Sequence, residues 1–471
     1  MRAPVVDVCV IGAGVVGSAI ARALSHHQLT VVLLDAAADV GTGTSKANTA
    51  ILHTGFDAKP GTLEARLVRR GHTLLTAYGH EVGIPIEPIG ALLVAWTAAQ
   101  RDALPRIAAT AVQNGYHRTR PVTVKELYDQ EPHLGPHAQG ALAIPDEAIV
   151  CPFTTPLAFA TEALLNDTTI RLGTAVTAVR SDPDGTHHLT TSSGPITARW
   201  VVNAAGLHAD TIDRLFGHAR FTITPRRGEL IVYDKLARAL VRHVILPVPT
   251  ATTKGMLVTP SVFGNLLLGP TAEDVADRTA TESTAVGLTS LLEHGHRLLP
   301  DLAHEEITAV YAGLRAATEH ADYQIHIDAG AHYGCVGGIR STGLTAAMAI
   351  AEYVLEGLRD AGLPLIRRDS IHTPRMPNLG EAFVRPYQDA ARVAADPAYG
   401  QILCHCERVT RGEIRDALAA PLPACSIDGL RRRTRAVLGR CQGFYCLAEV
   451  ARLVAESTGT PVTHLLGDER P

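Results

Sequence analysis

The chain opens on an apolar run, Val5 to Ile11, breaks at a cluster of glycines, resumes with helix-spaced apolar residues through Ser18 to His27, and returns to an apolar run that ends on Asp35. Short apolar runs bounded by turn residues read as buried strands, and the 3.6-residue spacing between them as a helix, so the pattern predicts a strand–helix–strand unit. A helix follows from Gly61 to His80, then short strands and helices alternate over residues 86–145. Pro152 to Asn166 reads as a helix, and Thr169 to Thr197 as three short strands turning at Asp182-Pro183-Asp184-Gly185. Trp200 to Ala205 is apolar throughout, as expected of a parallel strand buried on both faces and returning to the first sheet. Thr222 to Leu268 is strand-rich, Glu282 to Leu299 helical, and Val310 to Arg315 returns to strand. Residues 366–399 carry several prolines and little periodicity, which predicts a linker before a separate C-terminal unit, residues 400–471.

The first turn, Gly12-Ala13-Gly14-Val15-Val16-Gly17, has the spacing of a dinucleotide fingerprint. Gly12 permits the tight turn, Gly14 lets backbone approach a pyrophosphate, and Gly17 lets the helix pack on the strand. Asp35, about 20 residues beyond Gly14, can accept from an adenosine ribose. After it come Thr44-Ser45-Lys46-Ala47-Asn48, expected to form a second wall around the cofactor, and then His53. A second glycine turn, Gly337-Gly338-Ile339-Arg340-Ser341-Thr342-Gly343, runs straight into an alanine-rich helix. Helix N-termini favour anions, so this turn is an auxiliary contact for the same dinucleotide.

Composition narrows the class without naming the reaction. A net charge of -4 and a pI near 6.6 give no reason to expect nucleic acid. Without a long apolar run or a signal-like start, the expected location is the cytoplasm. The eight cysteines fall unevenly: Cys9, Cys151 and Cys335 stand alone, while Cys404, Cys406, Cys425, Cys441 and Cys446 crowd the tail. In a reducing compartment such a cluster binds metal more readily than it forms disulfides. Four thiolates, Cys404, Cys406, Cys441 and Cys446, suit zinc or a 2Fe-2S cluster, and CxC with Cx4C departs from the CxxC zinc knuckle, which favours iron–sulfur. Cys425 reads as structural, and the run Leu430-Arg431-Arg432-Arg433-Thr434-Arg435 as a solvated helix face, or else as charge that offsets the cluster's negative charge or docks an acidic redox partner.

Together these segments resemble the FAD-dependent D-amino-acid-oxidase-like oxidoreductases, within which the anaerobic glycerol-3-phosphate dehydrogenase large subunit and the L-2-hydroxyglutarate dehydrogenases look nearest. The matching stretches are VCVIGAGVVGSAIA, GTGTSKANTAILHTGFD, VVNAAGLHAD, TPRRGE, TTKGMLVTP, YAGLRAAT and GGIRSTGLTAA. The tail, with CHCERVTRGEI and GRCQGFYC, resembles the bacterioferritin-associated-ferredoxin-like 2Fe-2S domain. The resemblance implies an α/β fold: a Rossmann-like FAD-binding domain interrupted by an α+β substrate domain, plus a small helical 2Fe-2S domain. Residues 1–365 would form the oxidoreductase, with FAD parts near 1–85, 146–220 and 308–365 and substrate parts near 86–145 and 221–307. It also implies FAD and a 2Fe-2S cluster as cofactors. The adenosine end would be held by Gly12, Gly14, Gly17, Asp35 and the strand at Val176, and the flavin end by Thr44, Ser45, Asn48, Gly206, Gly338, Gly343 and Thr345.

Oxidising an alcohol or amine on a flavin needs a base for the departing proton and cations for the substrate's anionic group. Arg315 and Arg340 are the expected clamps, because guanidinium binds carboxylate or phosphate bidentately; Lys254 is a third cation, and His53 is the candidate base. The expected reaction is oxidation of glycerol 3-phosphate or a related small 2-hydroxy compound, with electrons passing through the cluster to a protein or quinone acceptor. Two alternatives stand beside it: amine or opine-type amino-acid oxidation, and a tail that only docks the chain into a complex. The expected partners are a small anionic substrate and that acceptor, with no transmembrane segment; peripheral membrane association through a partner is compatible with them.

Overall fold

The computed structural model describes residues 5–249 and 255–467. Strand Val5–Ile11 lies between Val31–Leu34 and Ile196–Asn203 and runs parallel to both, at the centre of an eight-stranded sheet. Its period of two decides its faces: Val8 and Val10 enter the larger core with the helices, while Cys9 and Ile11 enter a smaller core behind the sheet. Being apolar on both sides, the strand has no solvent face, as the sequence pattern required. Helix Val15–Ser25 packs between Thr154–Leu165 and Gly343–Asp360, and Leu63–Val82 crosses the last of these. That crossing depends on Gly71, where a Cβ would lie 2.3 Å from the Thr345 carbonyl oxygen.

A second, nine-stranded sheet carries residues between these parts. Its longest pairing is antiparallel, Ile223–Tyr233 with Ile307–Thr318, and sets Arg226 directly opposite Arg315 and Gly228 opposite Gly313. The expectation grouped residues from 308 with the FAD part. Strand Ile307–Thr318 instead pairs along its length with the second sheet, because cross-strand register outweighs chain order. It is nonetheless pinned to the FAD side: Thr44 Oγ1 donates to Leu314 O at 2.7 Å, Tyr311 Oη donates to Asn48 O at 2.9 Å, and Gly313 leaves no room for a Cβ beside Ala47.

Residues 366–399, the expected linker, are mostly irregular, with a short α-helix at Ala390–Ala395 and 3-10 turns beginning at Pro386 and Pro397. Leu379 and Arg385 are buried, and Arg385 donates at 3.3 Å to Glu381 and to Glu413 in the tail. The tail folds around its own apolar core, which includes Cys404, Ile414, Leu430, Val450 and Val454. Thr410 and Glu413 form a reciprocal capping box that starts helix Arg411–Leu418. Cys446 is the N-cap residue of Leu447–Thr458, and Cys425 is exposed, so burial gives it no packing role.

Candidate active site and cluster centre

The phosphate-side turn is built on glycines that accept no substitute. Gly12 has φ +104°, and a Cβ there would lie 2.5 Å from the Ala204 carbonyl oxygen; at Gly17 a Cβ would lie 1.8 Å from the oxygen of Gly12. Gly14 is the N-cap of Val15–Ser25 and offers no capping side chain, leaving amides at that helix terminus for an anion. Ser45 Oγ accepts from Val15 N at 2.9 Å, which brings the loop at Thr44–Asn48 against the same terminus. Asp35 accepts from Ala13 N at 2.6 Å and from Ala37 N at 2.8 Å, fixing the turn to the second strand. Burial leaves its pKa raised, an effect that those amide hydrogen bonds offset only in part. Thr174 N donates to Asp35 O at 2.7 Å, which brings the segment leading to Val176 beside the same residue.

Of the residues expected at the flavin end, Thr44, Ser45 and Thr345 make side-chain hydrogen bonds that join separate segments. Asn48 ties its loop, donating to Ser45 O at 2.8 Å and accepting from Ala50 N at 2.7 Å. Gly206 and Gly338 take positive φ, +56° and +65°. Gly343 opens helix Gly343–Asp360, whose N-cap Thr342 makes no side-chain cap, so a second uncapped helix terminus adjoins the site. Thr345, in the first turn of that helix, accepts at Oγ1 from His53 N at 3.0 Å.

His53 stands 3.2 Å from Glu147, measured Nδ1 to Oε2, and is itself partly exposed while Glu147 is fully buried. Glu147 Oε1 also accepts from Thr54 N at 2.7 Å and Thr54 Oγ1 at 2.8 Å. Sequence reasoning missed Glu147; its one signal was an acid set in the apolar stretch Ala143-Ile144-Pro145-Asp146-Glu147-Ala148-Ile149-Val150.

Arg315 is partly buried, and among the described residues no carboxylate pairs with it; Nη2 donates only to Thr271 O, at 3.1 Å. Its cross-strand neighbour Arg226 is already neutralised by Asp274 at 2.6 Å. Burial first, then repulsion from Arg226, pushes the Arg315 guanidinium down to about 10. Gly228 makes room for it, since a Cβ there would lie 2.6 Å from Arg315 Nη2. Arg340 differs: it donates to Ala321 O at 2.5 Å and to Glu64 at 3.4 Å, so its guanidinium is already engaged. Lys254 lies outside the described residues.

In the tail the four thiols come together as two hydrogen-bonded pairs, Cys404 with Cys446 and Cys406 with Cys441. The hydrogen bond from Cys446 lowers Cys404 to about 6, and the Tyr445 amide leads the causes that lower Cys441. Backbone donors at Glu407 and Val437 also face Cys404. Among the described residues no three such side chains gather as a mononuclear site needs. Two thiol pairs with amide donors suit a two-iron centre, in which each iron takes two thiolates.

The arginine run is not solvated. Arg433 grips Asp39 bidentately, Nη1 to Oδ2 at 2.6 Å and Nη2 to Oδ1 at 2.8 Å, and Arg432 Nη2 adds a contact at 2.8 Å. All three side chains are less than a tenth exposed. Burial pushes the Asp39 pKa up, but the hydrogen bonds and charge of Arg433 and then Arg432 leave it below its ordinary value. Arg435 lies over the Phe263 ring, its guanidinium carbon 4.2 Å from the centroid. Instead of meeting an acidic partner, the run latches the tail onto the loop after Asp35. Gly41, two residues beyond Asp39, returns to the phosphate turn by donating to Ala13 O at 2.9 Å.

Residues 7–356 match the FAD dependent oxidoreductase family, and residues 402–456 match the BFD-like 2Fe-2S binding domain. The chain is 35% identical over 466 residues to a glycerol 3-phosphate dehydrogenase of Caloramator mitchellensis, covering 98% of this chain and 96% of that one. It is 30% identical to the glycerol 3-phosphate oxidase of Mycoplasma pneumoniae over 73% of this chain and 92% of that enzyme. The dithionite-reduced L-alpha-glycerophosphate oxidase of that organism, solved with FAD bound, superposes with a TM-score of 0.75 at 27% identity, covering 80% of this chain and all of that one. No helix among the described residues is long and apolar enough to cross a membrane. With the glycine cradle, the uncapped helix termini and the paired thiols fitting the two cofactors, the chain belongs to the FAD dependent oxidoreductase family and carries a BFD-like 2Fe-2S domain.

Proposed function

We propose that this protein is a dehydrogenase that oxidises glycerol 3-phosphate, or a near relative bearing the same anionic group beside a secondary alcohol, and passes the electrons to its own cluster. The observation that carries this reading is Arg315, a partly buried guanidinium without a carboxylate partner among the described residues. Such a cation is destabilised by what surrounds it and gains most from an anion that fits its fork. The phosphate of the substrate meets that need. His53 takes the hydroxyl proton as the alcohol becomes a ketone, and Thr345 and Glu147 hold the residue in place. Bound FAD supplies the two-electron acceptor for the hydrogen leaving carbon.

The tail supports a relay within one chain. Gln442, beside Cys441, donates through Nε2 to Thr308 O at 3.2 Å, and the same strand reaches the flavin-side loop at Gly313. Five strand residues span about 17 Å. A cluster held by cysteines on a loop docked to that strand would suit one-electron steps toward an external acceptor better than a free docking module does. Similarity to the Caloramator enzyme over almost the whole of both chains adds support for the substrate.

The test is an anaerobic visible spectrum of the holoenzyme before and after adding glycerol 3-phosphate, L-2-hydroxyglutarate or a small amino acid. Flavin bleaching by glycerol 3-phosphate at the lowest concentration is the expected result. Bleaching by an amino acid alone would overturn the substrate assignment.

A further inference from the structure

Glu147 is fully buried, and no cation is paired with it among the described residues except what His53 can become. A carboxylate taken out of water without a charged partner is costly. Its carboxylate hydrogen bonds are directed at one dipeptide, His53-Thr54. Oε1 accepts from the amide and hydroxyl of Thr54, leaving Oε2 facing His53 Nδ1 at 3.2 Å. Its own main chain is fixed as well, since Glu147 O accepts from Gly90 N at 2.8 Å. The His53 amide is held separately by Thr345. Backbone and ring are therefore anchored from two different elements.

We propose that Glu147 is a positioning residue that keeps the proton of neutral His53 on Nδ1 and so leaves Nε2 with a free lone pair. An ionised carboxylate has only acceptors, so the ring nitrogen opposite it must donate. The other nitrogen is then the acceptor, which a general base requires. The balance of the step is simple: the substrate O–H proton goes to Nε2, the C–H hydrogen leaves with its electron pair to FAD, and Glu147 exchanges no proton. This deepens the reading of His53 as the base and rests on it.

The discriminating substitution is Glu147→Gln. Glutamine has the same size and still accepts from Thr54 through its carbonyl, but it presents an NH2 donor to Nδ1 and drives the ring into the opposite tautomer. Two readouts separate the ideas. In oxidised, substrate-free holoenzyme labelled with 15N-histidine, with the His53 signals assigned from their loss in His53→Gln, the wild type is expected to carry its proton on Nδ1 and Glu147→Gln on Nε2. In anaerobic stopped flow with glycerol 3-phosphate, Glu147→Gln is expected to slow flavin bleaching about a hundredfold, the size of a lost general base, with half-saturation within about twofold. The double variant should then be no slower than His53→Gln. A proton on Nε2 in the wild type, or an unchanged tautomer in Glu147→Gln, overturns the proposal. An unchanged bleaching rate in His53→Gln instead overturns the base assignment, whatever the tautomer. Thr54→Val, which removes one donor to Oε1 but leaves Oε2, serves where the glutamine variant fails to fold, and should keep the wild-type tautomer and bleach within about threefold of the wild-type rate. A Thr54→Val protein with its proton moved to Nε2 counts against the proposal as well.

Discussion

The interface at Asp39 and the surroundings of Arg315 both draw arginine away from water, yet they are built in opposite ways. At Asp39 two guanidinium groups close on one carboxylate, with three contacts of 2.6 to 2.8 Å. Around Arg315 the nearest charge is another arginine, already matched to Asp274, and a main-chain oxygen is the acceptor. A buried charge that is matched holds parts of the protein together; one left unmatched is held in readiness for something that arrives later. The first arrangement joins the tail to the loop after Asp35, and the second is the feature on which the proposed anion binding rests.

Breaking the matched site should give the largest effect on stability. Arg433→Ala leaves Asp39 with one partner and should lower stability by about 3 kcal/mol, read by thermal unfolding. Because Gly41 joins the latched loop to the phosphate turn, the same variant should bind FAD about tenfold more weakly, a loss of roughly 1.4 kcal/mol read by flavin fluorescence on dilution. Arg315→Met sharpens the contrast: without ligand it should unfold within about 1 kcal/mol of the wild type, or later, since an unmatched cation is removed.

The pH dependence of the latch follows from its sign. The Asp39 pKa is lower when folded than its unfolded value near about 3.9, so its contribution is fully present above that value and is lost as pH falls through the folded pKa. The melting-temperature difference between wild type and Asp39→Asn should therefore be constant from about pH 8 to 5 and shrink only below about pH 4. The smallest effect belongs to Phe444, which is 83% exposed on the loop between Cys441 and Cys446. Phe444→Ala should change stability by no more than about 0.5 kcal/mol.

What could be read from the sequence was what lies close along the chain. The alternation of Val8 and Val10 with Cys9 and Ile11, the glycine turn and the capping box at Thr410 each declare themselves within a few residues. The latch does not, because Arg433 and Asp39 are 394 positions apart and an arginine run alone resembles a solvated face. Glu147 was equally hidden: it meets His53 and Thr54, 94 and 93 positions away, through the antiparallel pairing of Ile51–Leu52 with Ala148–Val150. Arg315 could be named from its motif, but its lack of a partner emerges only when register sets it opposite Arg226. Arg340 carried the same signal and turned out to be held by Glu64 and Ala321. Sequence thus named candidate residues by type and motif, while the pairing of charges, a property of three dimensions, distinguishes the unmatched cation from the matched ones.

The most direct measurement is an anaerobic titration of flavin bleaching with glycerol 3-phosphate in wild type, Arg315→Met and Arg433→Ala side by side, with FAD in excess. Half-saturation should rise about a hundredfold or more in Arg315→Met, a loss of roughly 3 kcal/mol, and stay within about threefold in Arg433→Ala. Equal half-saturation in wild type and Arg315→Met would contradict the claim that the unmatched guanidinium receives the substrate's anion.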